Sequence, residues 1–325
     1  MNLLPSDIEI QDLDIEVIDC EACTPKNEGR IIASNQKFLA IISKTGKEIL
    51  VIEPNNSISI KPDLPKIFHD SNICDLEFSP FNNNILASGH EDNSVLLWKI
   101  PEEGLKESIT KENIFLKKNI DKVNFIDFNP ISSEVITTCS SKGDICVWNL
   151  EKKDTFAELN LGTYTSSVSW NPDGFLIGAT TYRKQFHIFD PRNNNSTIFK
   201  KQISEYFKSK FTWVDNNMFL TINWNKEGKY KLLKLWDIKK FDNEISSIKI
   251  DSSQDLSTPF INRELKLVYI IEKDNIYVYD YNNTKLYDLT QFEFKKSSNY
   301  TILFDRRSLD KTRKEIDRFA TYSIY

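Results

Sequence analysis

The sequence predicts an all-β protein that closes into a ring of small antiparallel sheets, a seven-bladed β-propeller. Two observations carry this prediction: one pattern of short strands recurs along the chain, and each copy ends near an aromatic residue. The residues that end the copies are Trp98, Trp148, Phe189, Trp236 and Tyr279. They are 41 to 50 residues apart, close to the roughly 40–45-residue period of four-stranded propeller blades. Dividing the 325 residues of the chain by such a period gives about seven blades.

The clearest copy of the pattern begins with an alternating segment at 73–78. That alternation predicts a strand, which an aromatic-Ser-Pro turn ends, and a later apolar run at 95–98 predicts another strand. The same order of elements recurs at 123–150 and at 168–191. Each copy is a small sheet that buries its faces only by stacking against its neighbours, which is why a ring is expected.

The repeats also set the expected domain boundaries. Residues 30–305 are predicted to form the propeller blades, the first running from Arg30 to about Pro54. Residues 1–29 are acidic and are expected to form an N-terminal arm that partly joins the closure of the ring. Residues 306–325 are expected to supply a closing strand and a C-terminal extension packed on the propeller.

Composition narrows the function classes. The net charge of -5 argues against a nucleic-acid partner, because phosphate binding needs concentrated Lys and Arg. No segment approaches the apolar length of a membrane span, and the acidic N-terminus differs from a signal peptide. The cysteine count of five is odd, which favours reduced thiols in a cytoplasmic protein.

No motif in the sequence indicates catalysis, a metal or a cofactor. Cys20 and Cys23 form a lone C-x-x-C pair, whereas a structural zinc site needs four ligands, so chance explains the pair. Thr45-Gly46-Lys47 lacks the frame of a phosphate-binding loop. A non-catalytic interaction protein is therefore expected.

One local set of residues superficially resembles a catalytic Ser-His-Asp arrangement. In WD-repeat blades the same residue types form a hydrogen-bonded structural chain, because a buried imidazole and a buried indole N–H each need a partner. The set comprises His69, Ser88, Asp92 and Trp98. It identifies the predicted fold as a WD-repeat propeller, and replacing His69 by Ala is expected to destabilise it.

This network is expected in one blade only. Counting the same offsets places Asn119 and Lys142 at the His and Asp positions of the next blade. His90 and His187 are isolated and are expected to be ordinary strand or turn residues.

Several stretches resemble the coronin family. Residues 35–42, NQKFLAII, resemble its N-P-K-F-L-A motif, and residues 86–105, LASGHEDNSVLLWKIPEEGL, are similar to its A-S-G-S-E-D stretch ending in W-x-I-P-E-x-G-L. Residues 189–192 and 235–237 resemble its D-P-R and L-W-[ND] motifs. Residues 305–319 resemble the segment that closes its propeller.

The resemblance covers roughly residues 20–325 and implies a function. It implies a non-catalytic platform that binds actin filaments (F-actin) and regulates actin organisation and cell motility. The implied location is the cytoplasm and the cytoskeleton, with other cytoskeletal proteins open as partners. Coronins usually continue into a coiled coil; without heptads before Tyr325, this form is expected to be a monomer, and an oligomer only if a coiled coil follows.

Basic side chains on one face are the expected actin contacts, because actin is acidic. These candidates are Arg30, Lys44, Lys47, Arg306 and Arg307. Coronins usually open with a basic arm, whereas here the segment before the first blade is acidic. That departure favours an alternative function, a generic WD-repeat scaffold for a multiprotein complex with weak or no actin binding.

Further basic pairs are predicted to lie in loops. They are either solvated loop residues or a docking surface for an acidic protein. These pairs are Lys117-Lys118, Lys200-Lys201, Lys208-Lys210, Lys239-Lys240 and Lys295-Lys296.

Overall fold

The computed structural model describes residues 28–53, 64–193, 197–203, 208–225, 227, 229–250, 259–272, 275–282, 284–293, 300–303 and 319–322. Within these residues the chain forms 26 β-strands and no helix. The strands group into seven antiparallel sheets, six of four strands and one of two. The all-β propeller architecture is thereby confirmed, and the number of sheets agrees with the expected seven blades.

Each four-stranded sheet uses four consecutive strands, hydrogen-bonded in chain order. The first sheet contains β1 (Ile32–Ser34), β2 (Leu39–Ile42), β3 (Glu48–Ile52) and β4 (Lys66–Phe68). The second contains β5 (Ile73–Phe78), β6 (Ile85–His90), β7 (Ser94–Lys99) and β8 (Ile114–Lys117). The third contains β9 (Val123–Phe128), β10 (Val135–Ser140), β11 (Asp144–Asn149) and β12 (Asp154–Asn160).

The later sheets follow the same plan. The fourth contains β13 (Thr165–Trp170), β14 (Ile177–Thr181), β15 (Gln185–Phe189) and β16 (Thr197–Gln202). The fifth contains β17 (Ser209–Trp213), β18 (Met218–Trp224), β19 (Lys231–Asp237) and β20 (Ser246–Ile250). The sixth contains β21 (Phe260–Asn262), β22 (Leu267–Ile271), β23 (Asn275–Tyr281) and β24 (Leu286–Glu293), and the seventh pairs β25 (Tyr300–Leu303) with β26 (Phe319–Tyr322).

The first strands of neighbouring sheets contact each other along the inside of the ring. β1 contacts β5, β5 contacts β9, β9 contacts β13, and β13 contacts β17. β25 in turn lies against β1, so the end of the chain returns to its beginning. The first blade extends beyond the expected end at Pro54, because β4 pairs with β3 and completes that sheet.

Apolar clusters between consecutive sheets hold the ring together. Trp98 belongs to a cluster shared by the first and second sheets, and Trp148 to one shared by the second and third. Phe186 and Phe219 stack with their ring centroids 4.1 Å apart between the fourth and fifth sheets. The aromatic residues that define the sequence repeat are all buried. Each sheet therefore depends on its neighbours to exclude water from its faces.

The connections define two faces of the propeller, because successive turns of an antiparallel sheet alternate between its ends. The link face carries the turns between the second and third strands together with the connections from one sheet to the next. The hairpin face carries the turns between the first and second and between the third and fourth strands. On the hairpin face, side-chain amides join neighbouring sheets: Asn35 Nδ2 donates to the carbonyl of Asn83 (2.8 Å), and Asn129 Nδ2 to that of Gly174 (2.9 Å).

Candidate functional site

The second sheet contains a buried polar chain that begins at Trp98. The indole Nε1 of Trp98 donates to the Ser88 hydroxyl (2.8 Å), which makes a 2.8 Å hydrogen bond with Nε2 of His90. His90 was expected to be an ordinary residue, but it provides the imidazole bonded to Ser88. Burial lowers the pKa of His90 to about 3, with a further contribution from His69, so His90 is neutral in this chain.

His69 and Asp92 lie at the edge of this polar chain. The His69 ring packs against that of His90 with centroids 4.1 Å apart, and its Nδ1 accepts from the backbone N–H of Ser71 (3.0 Å). Asp92 accepts from the hydroxyl (2.5 Å) and the backbone N–H (3.2 Å) of Ser94 and so fixes the turn between β6 and β7. Of the four predicted network residues, the structure therefore bonds Ser88 directly to Trp98 and places His69 one ring further out.

The third sheet carries an equivalent chain, so the expectation of a network in one blade only is wrong. Trp148 Nε1 donates to the Thr138 hydroxyl (2.9 Å), which in turn donates to Oδ1 of Asn119 (2.8 Å). Asn119 stands where the second sheet has His69 in sequence, and its amide donates to the carbonyl of Asp144 (3.1 Å). An amide can replace the imidazole because it also has both a donor and an acceptor. The fifth sheet keeps part of the chain, a 2.9 Å bond from Trp236 Nε1 to the Thr221 hydroxyl.

A second polar system lies on the inner strands, where carboxylate side chains of one sheet accept hydrogen bonds from backbone N–H groups of the next sheet. These bonds connect the second sheet to the third and the third to the fourth. The acceptor and donor pairs are Asp75 with Ile126 (2.6 Å), Glu77 with Phe128 (2.8 Å) and Asp127 with Trp170 (2.5 Å). Sequence reasoning missed these acids, although carboxylates on otherwise apolar inner strands were a signal that could have revealed them.

Arg30, which lies two residues before β1, binds two of these carboxylates. Its Nε and Nη2 donate to Oδ1 and Oδ2 of Asp75, each at 2.9 Å, and its Nη1 donates to Oε1 of Glu77 at 2.9 Å. Its Nη2 also donates to the carbonyl of Ile126. The Asp75 side chain is 1% exposed and that of Arg30 42% exposed. One guanidinium thus joins the first, second and third sheets at the inner ring.

The carboxyl groups outnumber the cation in this cluster. Burial raises the pKa of Glu77 to about 8, although Arg30 opposes the change, and the charge of Asp127 adds to it. Burial likewise raises the pKa of Asp127 to about 6, again opposed by Arg30. We therefore expect the pair Glu77 and Asp127 to retain a proton near neutral pH.

Glu28 reaches across the ring to the fourth and fifth sheets. Its Oε1 accepts from the Tyr182 hydroxyl (2.7 Å) and from Lys208 Nζ (2.8 Å), and its Oε2 lies 3.0 Å from Lys210 Nζ. Burial alone raises the pKa of a carboxyl, but Lys210, Lys208 and Tyr182 lower the pKa of Glu28 to about 2. Lys210, predicted to lie in a basic loop, is buried in β17, where burial lowers its pKa despite Glu28.

Gly29 lets the chain pass between these two anchors. A Cβ at this position would lie 2.3 Å from the Cys74 carbonyl oxygen and 2.5 Å from that of Asn124. No side chain fits so close to two backbone oxygens, so glycine is required. Residues 28–30 therefore form a strap, the 28–30 strap, that contacts the second to fifth sheets.

The link face presents separate charged areas. Lys44 and Lys47, two of the predicted actin contacts, are exposed in the turn between β2 and β3. The corresponding part of the second sheet is acidic, with Asp70, Glu91 and Asp92. Arg30, a third predicted contact, lies in the inner ring, whereas Arg306 and Arg307 fall outside the described residues.

Lys239 and Lys240 lie in the predicted loop, just after β19, and Lys295 and Lys296 fall outside the described residues. Two of the other predicted basic pairs contain lysines that lie in strands rather than loops. Lys117 ends β8, and Lys200 and Lys201 lie in β16. These outer strands pair on one side only, so lysines on them are consistent with the charged edges that natural sheets use.

The cysteines offer no reactive thiolate among the described residues. Cys74, Cys139 and Cys146 are buried cysteines in strands. Burial raises the pKa of Cys74 and of Cys146 to about 12 and raises that of Cys139 further. In the described part of the chain, no group of three or more His, Cys, Asp or Glu side chains could hold a metal ion. Cys20 and Cys23 lie outside the described residues.

Among the residues that the structure describes, no helix has the length and apolar character that a bilayer crossing requires.

The fold and its Trp-linked polar chains define a WD-repeat β-propeller. The family model "WD domain, G-beta repeat" matches residues 65–99, which contain β4 of the first sheet and the first three strands of the second sheet. The crystal structure of the WD40 domain from Toxoplasma gondii coronin superposes with a TM-score of 0.89 at 24% identity, covering 95% of this chain and 82% of that one.

Full-length relatives point to the same group of proteins. The chain is 23% identical to Coronin-like protein crn1 of Schizosaccharomyces pombe over 301 residues, 90% of this chain and 50% of that protein. It is 23% identical to Coronin-2A of Bos taurus over 305 residues, 90% of this chain and 58% of that protein. The chain is a coronin-like WD-repeat protein, and it spans about half the length of these curated relatives.

Proposed function

We propose that the chain is an actin-filament-binding protein that regulates actin organisation and cell motility as a non-catalytic interaction platform. The observation that carries the proposal is the similarity to coronins over 90% of the chain. We assign it to the cytoplasm and the cytoskeleton on the same ground. Proteins of this fold generally act as interaction scaffolds, and the polar sets that resemble catalytic residues are used here for structural hydrogen bonds.

The basic turn of the first sheet is the filament contact that this proposal favours. Lys44 and Lys47 are exposed on the link face, where positive charge attracts an acidic filament and speeds association. Arg30 contributes less direct charge than expected from the sequence, since Asp75 and Glu77 bind its guanidinium. Arg306 and Arg307 stay in the proposal as candidates.

A co-sedimentation assay with matched charge reversals tests this assignment. The double variant Lys44→Glu with Lys47→Glu is expected to weaken filament binding by about tenfold, a typical loss for important interface residues. The control, Lys111→Glu with Lys152→Glu, makes the same change in net charge at two exposed lysines on the hairpin face. Equal binding by both double variants would contradict the assignment of the contact to the first sheet.

The engagement of Arg30 also supports the alternative, a WD-repeat scaffold with weak or no actin binding. Both carboxylates that bind Arg30 reduce the positive potential of the inner ring. A pull-down that recovers subunits of a complex without actin would favour this alternative.

A further inference from the structure

A second basic area lies on the link face at the third and fourth sheets, and it contains exposed aromatic and aliphatic side chains. Tyr164 is 58% exposed and Ile120 is 61% exposed. Exposed apolar side chains that lie close together mark interaction sites, whereas a single exposed apolar side chain is common on protein surfaces. We name this area the Tyr164 patch; it consists of Ile120, Lys142, Tyr164, Tyr182, Arg183 and Lys208.

Hydrogen bonds and ring contacts join the patch into one surface. Tyr182 donates its backbone N–H to the Tyr164 carbonyl (2.9 Å), and the two rings meet edge to face with centroids 6.3 Å apart. The turn that carries Lys142 is bonded to the same loop, since Ser141 O accepts from Thr165 N–H (3.2 Å). The rings are therefore held in place before any partner binds, which lowers the entropy cost of binding.

The patch is fixed from below by the 28–30 strap. The Tyr182 hydroxyl donates to Glu28, which also pairs with Lys208. Glu28 thus neutralises Lys208 at the inner rim and leaves the outer part of the patch positive.

Arg183 is the main positive group of the outer part. It is exposed in the turn between β14 and β15, and within the described residues no ion pair or hydrogen bond engages its guanidinium. Lys142, by contrast, is paired with Asp121 at 3.1 Å. Tyr and Arg are, together with Trp, the residue types enriched in binding hot spots, because they combine apolar area with specific polar groups.

We infer that the Tyr164 patch binds an acidic peptide segment of a partner protein that also carries an apolar side chain. Acidic groups of the segment would pair with Arg183, while an apolar side chain would pack on Tyr164 and Ile120. A long nucleic acid is disfavoured, because the neighbouring second sheet presents Glu91 and Asp92 on the same face and would repel a continuous polyanion.

The inference goes beyond the proposed filament contact and is independent of it. The acidic turn of the second sheet separates the patch from Lys44 and Lys47, so the two basic areas can be altered separately. If the unaltered chain binds the acidic peptide but not actin filaments, the proposed function fails and this inference stands. If it binds filaments but not the peptide, this inference fails and the proposed function stands.

Fluorescence anisotropy with the full chain tests the inference. The probe is a short fluorescein-labelled peptide of glutamates with a leucine at each end. Arg183→Glu and Tyr164→Ala are each expected to weaken binding by about tenfold. Both side chains are exposed, so thermal unfolding should be unchanged. Lys152→Glu on the hairpin face and the Lys44→Glu, Lys47→Glu pair are expected to bind as the unaltered chain does.

Three results would overturn the inference. They are a lack of saturable binding of the probe at low salt, equal weakening by Arg183→Glu and Lys152→Glu, and tighter binding of a short thymidine oligonucleotide than of the peptide. The last result would identify a nucleic-acid site instead.

Discussion

The guanidinium of Arg30 and the carboxylate of Asp75 meet in a bidentate ion pair, with both hydrogen bonds 2.9 Å long. Asp75 also accepts the backbone N–H of Arg30 (2.7 Å) and that of Ile126 (2.6 Å). A single carboxylate therefore receives donors from the first and third sheets while it lies on the second. This pair therefore joins three sheets at one point of the inner ring.

Removing the Asp75 carboxylate should destabilise the propeller strongly. Asp75→Ala leaves buried N–H groups and the guanidinium without their acceptor, and we expect a loss of about 3 kcal/mol, the low end for broken buried pairs because Arg30 reaches solvent. Chemical denaturation measures the loss. Asp154→Ala, at a 74% exposed side chain, is the control. Comparable stability of the two variants would show that the inner-ring pair contributes little.

The proton retained by Glu77 and Asp127 predicts that stability falls as pH rises. Both pKa values are raised in the folded chain, Glu77 to about 8 and Asp127 to about 6. Between the ordinary carboxyl pKa and these values the folded state binds more protons than the unfolded state. The contribution of these two groups to the free energy of unfolding is therefore fully present below the ordinary carboxyl pKa. It declines as the pH rises above that value, by up to about 1.4 kcal/mol per pH unit for each group.

Glu77→Gln should flatten this decline, because glutamine stays neutral and keeps hydrogen-bonding atoms at the same position. The measurement is the free energy of unfolding from about pH 5 to about pH 8. Glu103→Gln, at an exposed side chain, should retain the slope of the unaltered chain. A native chain whose stability does not change over this range would refute the shared proton.

The 28–30 strap predicts the opposite behaviour in acid. The pKa of Glu28 is lowered to about 2, so its contribution is present above the ordinary carboxyl pKa and is lost as pH falls towards about 2. Glu28→Gln should therefore destabilise the chain near neutral pH and reduce the further loss at about pH 3. Thermal melts at both pH values test this, with Glu151→Gln as an exposed control. Parallel losses in the Glu28→Gln variant and the native chain would exclude a charged anchor.

The two Trp-linked chains should contribute similarly to their sheets. Ser88→Ala and Thr138→Val each leave a buried indole N–H without an acceptor, which costs roughly 1–3 kcal/mol. His69→Ala should cost less than His90→Ala, because His69 packs against the chain and His90 is bonded within it. Ser133→Ala, on the exposed hairpin face, is the control. A larger effect of His69→Ala than of His90→Ala would restore the network predicted from sequence.

Short-range patterns predicted the fold, because an aromatic residue near the end of the third strand recurs in the second to sixth sheets. A proline turn after the first strand, Ser-Pro or Asn-Pro, recurs in the second to fourth sheets. Trp98 and Ser88 could be paired from spacing alone. The role of Asn119 could not, since an amide differs from imidazole in residue type although its hydrogen-bonding capacity is equivalent.

Contacts between distant sheets could not be read from spacing. Arg30 was recognised as a notable basic residue, but its partners Asp75 and Glu77 lie 45 and 47 positions away. Glu28 and Lys210 are 182 positions apart and meet only because the ring brings the strap to the fifth sheet. The acidic residues before the first blade suggested that this segment repels actin. The charge of Glu28, however, is paired inside the protein with Lys208 and Lys210.

Binding of the chain to actin filaments is the most direct test of the function proposed here. The full chain is sedimented with filaments over a range of filament concentrations, first at low salt and then with increasing salt. We predict saturable co-sedimentation that weakens as salt screens the basic turn of the first sheet. A chain that stays in the supernatant at low salt, at every filament concentration, would contradict the account and favour the scaffold alternative.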